Sequence, residues 1–61
     1  MKHVITAWQI VDGYAYHVTE AKCESLTGVF HKVAVRLGAH HVRGEYDPSL
    51  PVHFTYDKEE S

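Results

Sequence analysis

Six histidines and a single cysteine are the side chains with the widest chemical range in this 61-residue chain. A metal centre needs three or four such ligands converging in space. His3, His17, His31, His40, His41 and His53 are scattered along the sequence, and His40 and His41 on a strand would point to opposite sides. No H-x-x-x-H pair occurs, and there is no second cysteine. The best cluster available is His41 beside His53 on the outer face of a C-terminal hairpin, with His3 near them if the first and last strands pair. Solvated or hydrogen-bonded histidines are the simpler expectation, so neither a metal nor a cofactor is expected. A pH-responsive surface is intermediate, because imidazole titrates near neutrality.

Cys23 next to a helix start has the setting of a nucleophile, yet no acid is placed to orient His17 as its base. So short a chain also leaves little room for a substrate pocket. Cys23 therefore reads as a structural thiol. Glu45, Asp47 and Asp57 read as a solvated sheet face and a turn. Arg43, between His41 and Glu45 in alternation, reads as a cross-strand ion-pair partner and not an anion site. No glycine-rich phosphate loop is present, and no enzymatic activity is expected.

The aromatic and β-branched residues of Val4–Ala21 carry more information. VITAWQIV and YAYHVTEA flank Asp12-Gly13, a strong signal for a type I′ hairpin turn. That turn pairs Val11 with Tyr14, Gln9 with Tyr16, Ala7 with Val18 and Ile5 with Glu20; a bulge would shift this register. Both faces are then adhesive. Val4, Trp8, Ile10, Ala15 and Ala21 fall on one, and Ile5, Ala7, Val11, Tyr14, Tyr16 and Val18 on the other. Tyrosine tolerates a half-wet surface and is favoured in interfaces, which places Trp8 inward and the tyrosines outward. The opposite choice would expose Val4, Trp8 and Ile10. The candidate partner-binding residues are Ile5, Gln9, Val11, Tyr14, Tyr16 and Val18.

The remaining elements must support that hairpin. Leu26, Phe30, Val33 and Leu37 form one helical stripe, flanked by Val29 and Ala34. Gly38 is the expected stop, and Gly28 marks late initiation or close packing on the sheet. Beyond it, His41-Val42-Arg43-Gly44-Glu45-Tyr46 alternates as a strand, Asp47-Pro48-Ser49-Leu50 turns, and Val52-Phe54-Tyr56 alternates again. The fold class is α+β: a single domain over 1–61 in ββαββ order, with a four-stranded sheet, one helix on one face and a frayed tail at 58–61. This layout is similar to the β-grasp of the immunoglobulin-binding modules of streptococcal protein G. Short matches lie at Thr19-Glu20-Ala21, Val29-Phe30, Gly44-Glu45-Tyr46 and Phe54-Thr55. The first hairpin does not match, so the resemblance implies topology only and no binding residues.

Charge and size restrict the function. A net charge of -2 argues against nucleic-acid binding, which normally shows a basic patch. No stretch is apolar enough to span a membrane. One unpaired cysteine and no leader-like N-terminus fit a reducing, cytoplasmic setting. A complete small protein and a domain of a longer one both fit the ends of the sequence. The expected function is a non-enzymatic protein-binding module: a small inhibitor, adaptor or antagonist, of the kind phage or plasmids direct at host proteins. It would act through the exposed face or edge of the first hairpin. The alternatives are a homodimer or larger assembly built on the same patch, and a single-stranded nucleic-acid-binding sheet in which Tyr14 and Tyr16 stack bases.

Overall fold

A computed structural model describes residues 1–60. Strands β1 (Lys2–Val11) and β2 (Tyr14–Cys23) form the hairpin, helix α1 (Leu26–Val42) follows, and strand β3 (Val52–Glu59) ends the fold. β3 lies antiparallel to β1, giving a three-stranded antiparallel sheet in the order β2-β1-β3. The helix crosses β2 and β1 and not β3.

The turn is as its chemistry requires, with φ of 52° at Asp12 and 83° at Gly13. Val11–Tyr14 and Gln9–Tyr16 pair directly, but the register shifts between Ala7 and Trp8. Trp8 pairs with His17 and Ala7 with Thr19, leaving Val18 as the extra residue. The expected pairs Ala7–Val18 and Ile5–Glu20 are thus replaced by Ala7–Thr19 and Ile5–Ala21. The bulge has a clear effect on packing. An unbroken register would aim Val18, Glu20 and Lys22 at the helix. The shifted one presents Thr19, Ala21 and Cys23, which are small enough for a helix to approach.

The core consists of Ile5, Ala7, Ala21, Val29 and Val33, bordered by Val18, Cys23, Leu37 and Val52. This overturns the expected face assignment for Trp8, Ile10 and Ala15, whereas Ala21 is in the core as expected and Val4 is buried on the other face. Trp8 lies on the helix-free face, where its indole N–H donates to Thr55 Oγ1 at 2.8 Å. The side chains under the helix are small because backbone must come close to backbone. An indole fits better where its N–H has a partner.

Two corrections concern α1. Its buried stripe is Val29 and Val33, extended by Leu37, whereas Leu26 and Phe30 are exposed. The helix also runs through Gly38 to Val42, so the expected third strand around His41–Tyr46 does not form. The stop is at Gly44, whose φ of 69° is the left-handed conformation. Gly44 N–H donates to His41 O at 3.0 Å and Glu45 N–H to His40 O at 2.9 Å, the paired bonds of a Schellman cap. With one strand fewer, the four-stranded β-grasp-like layout is not reached. At the other end, Ser25 caps the helix by accepting from Gly28 N–H at 3.1 Å. A Cβ on Gly28 would sit 2.8 Å from Cys23 Sγ, so Gly28 marks close packing. The tail is more ordered than expected. Lys58 and Glu59 pair with His3 and Lys2, while Ser61 lies outside the described residues.

Candidate functional site

The hairpin tip collects the exposed aromatics. Val11 and Tyr14 face each other, Tyr16 adjoins them opposite Gln9, and all three lie on the helix side of the sheet. Tyr14 is 69% and Tyr16 55% exposed. The helix leaves this end of the sheet uncovered, and β2 beside it is a free edge strand.

The other expected site residues are not available. Ile5 is only 2% exposed and belongs to the core, and Val18 packs half-buried against it. Gln9, 5% exposed, has its amide fully engaged. Its Nε2 donates to Asp47 O at 2.6 Å and Leu50 O at 3.2 Å, and its Oε1 accepts from Asp47 N–H at 3.3 Å. Gln9 therefore ties the central strand to the loop that precedes β3. Asp47 also shapes that loop, because its Oδ1 accepts from Ser49 N–H and Oγ. Those hydrogen bonds hold its carboxyl below the usual range.

A second exposed apolar surface was not anticipated. Leu26 and Phe30 of α1 and Phe54 and Tyr56 of β3 line a groove of about 470 Å³, floored by Ile5. The sequence assigns these side chains to the core, since they sit on the apolar faces of their elements. They stay exposed because the helix axis lies over β2 and β1. No sequence signal marked this, because His41–Tyr46 alternates like the fourth strand that does not form.

The helix-free face is more polar. Trp8 meets His17 edge-on, with ring centroids 5.6 Å apart at 89°. Lys22 Nζ reaches Glu59 Oε2 at 2.9 Å, linking the two outer strands across β1. That hydrogen bond and the adjacent negative charge raise the lysine pKa. The histidines do not converge. His3 Nδ1 and the Tyr56 hydroxyl are 2.6 Å apart, His41 packs on Tyr46, and His53 stands opposite Trp8. Among the described residues no three His, Cys, Asp or Glu side chains are grouped as metal ligands. Arg43 does pair with Glu45, but at the helix end and not across strands. Among the described residues no helix is long and apolar enough to cross a membrane.

These features define a small α+β domain with one helix on a three-stranded antiparallel sheet. No family model matches the chain, and no curated protein or solved structure matches it either.

Proposed function

We propose that the chain is a non-enzymatic module that binds another protein through the tip and free edge of its first hairpin. The observation carrying this reading is the uncovered cluster of Val11, Tyr14 and Tyr16 on one side of the tip. Tyrosines offer large contact area with few rotatable bonds and a hydroxyl to satisfy at the rim. The β2 edge alongside presents unpaired backbone groups to which a partner strand can add. An inhibitor, adaptor or antagonist works by such contacts and needs no reacting group.

The expected result for Tyr16→Arg is loss of the partner with the fold retained. The native protein would be immobilised, its captured protein identified, and the capture repeated with the variant after circular dichroism confirms folding. Undiminished capture by the folded variant would overturn this surface. Capture of single-stranded nucleic acid in place of protein, weakening with salt, would favour base stacking on the same tyrosines.

A further inference from the structure

The sheet has two free edges, and they differ. β2 is broken by the bulge at Val18 and carries Glu20 and Lys22. A bulge is one of the devices that keep a strand from pairing further, and here it confines any strand added on β2 to the tip segment Tyr14–His17. β3 runs eight residues with no bulge in its pairing to β1, and its own charges, Asp57, Lys58 and Glu59, are gathered at its C-terminal end. β3 is also the strand that the helix leaves bare, with Phe54 and Tyr56 exposed beside Leu26 and Phe30.

We propose that β3 is the pairing edge of a homodimer, in which two copies join antiparallel about a two-fold axis at Thr55. The strand's own sequence argues for a second copy as the occupant. In an antiparallel pair, residues directly opposite share a face. With the axis at Thr55, Phe54 falls opposite Tyr56 of the second copy on the helix side, and the symmetry supplies this aromatic pair twice. On the helix-free side, His53 falls opposite Asp57 of the second copy, again twice, a ring N–H donor against a carboxylate acceptor. Val52 lies opposite the stem of Lys58, and Thr55 meets itself. Moving the axis to Tyr56 would set Phe54 against Lys58 and Thr55 against Asp57 and keep a single aromatic pair, Tyr56 on itself; moving it to Phe54 would likewise keep only Phe54 on itself and part His53 from Asp57. Of these three registers, the one at Thr55 alone supplies two aromatic pairs together with two His53–Asp57 pairs.

Joining the copies gives a six-stranded sheet in the order β2-β1-β3-β3-β1-β2. Neighbouring strands lie about 4.8 Å apart, so the two helices stand roughly 19 Å from axis to axis if each is centred between β1 and β2. Direct helix packing needs about 8–10 Å. The space between them is the two grooves merged, and Leu26, Phe30, Phe54 and Tyr56 from each copy line it. Both β2 edges and hairpin tips remain free at the two ends, so the dimer would offer its tyrosine surface twice.

The test is the mass in solution. Sedimentation equilibrium from micromolar to hundred-micromolar concentration should pass from 7.0 kDa towards twice that value. Phe54→Lys, at an exposed position in the monomer, should raise the dimer dissociation constant about tenfold or more by setting a charge against Tyr56 of the second copy. Tyr16→Arg should leave dimerisation unchanged, and Phe54→Lys should leave partner capture by a single copy intact, so the two surfaces can fail separately. Amide exchange on the unmodified protein gives an independent reading, with protection of the alternate β3 amides that point away from β1 rising with concentration. A monomer throughout the range, or a dimer lost with Tyr16→Arg and indifferent to Phe54→Lys, would overturn the proposal. So would a dimer whose concentration-dependent protection falls on β2.

Discussion

Gly28 and Cys23 together set how closely the helix start sits on the sheet. Alanine normally gains up to about 1 kcal/mol over glycine inside a helix. At position 28 that gain meets the Cys23 sulfur, 2.8 Å from where the new methyl would stand. A single torsion places Sγ relative to the Cys23 backbone and the residue is half-buried at the core margin, so relief requires a rotamer change or a shift of the helix. Gly28→Ala is therefore expected to destabilise the protein by roughly 1 kcal/mol net. In a Cys23→Ala background the same substitution should become neutral or stabilising, because the obstructing atom is gone. Urea unfolding of the four proteins completes the cycle, and equal effects in both backgrounds would refute the contact. Glycine at 28 was readable as close packing from the sequence. Its partner was not, because Cys23 reaches that place only through the bulge at Val18, and apolar patterning does not reveal a bulge.

Among the elements, α1 shows how two glycines of one helix can exchange their apparent roles. Gly38 follows the apolar stripe at once and is preceded by Lys32 and Arg36, so it resembles a terminator. Yet it sits inside the helix, which runs on to Val42, and a Cβ there would meet nothing within 4 Å. Gly44, with its positive φ, makes the true stop. The sequence could not separate them, because His40, His41 and Val42 suit a strand as well as a last helical turn. The bonds of a cap are visible only once the chain has folded. Opposite effects follow from the same change. Gly38→Ala is expected to stabilise by about 0.5–1 kcal/mol through helix propensity. Gly44→Ala is expected to cost about 1–2 kcal/mol by forcing a side chain into the left-handed region. Thermal unfolding of both variants checks the pair, and equal signs would contradict this helix boundary. The hairpin, by contrast, was legible through its turn residues and the pairs next to them, and failed only past the bulge.

At the scale of the whole molecule, the helix and the last strand must be held in one frame, and no strand joins them directly. Gln9 takes that part. Its amide, buried in the central strand, fills the hydrogen-bonding needs of Asp47 and Leu50 in the loop between α1 and β3. Among the described residues no buried side-chain polar atom lacks a partner, so the network has no slack. Gln9→Leu would take the side-chain partner from Leu50 O and Asp47 N–H, while Asp47 O keeps its bond from Leu50 N–H, at a cost of roughly 1–3 kcal/mol. Gln9→Glu makes a sharper test, because the change replaces a donor with an acceptor facing two carbonyl oxygens. Burial and that arrangement both disfavour the charged carboxylate, so its folded pKa must lie above the unfolded value of about 4.3. The protonated acid, with one O–H to donate, is held more firmly by the folded state than by the unfolded chain. Relative to the native protein, the variant should therefore keep most stability below about pH 4 and lose it as pH rises through the folded pKa. Urea midpoints for both proteins between about pH 4 and pH 7 would show the gap widening upward. A gap that is constant, or that narrows, would mean the position 9 side chain does not fasten this loop.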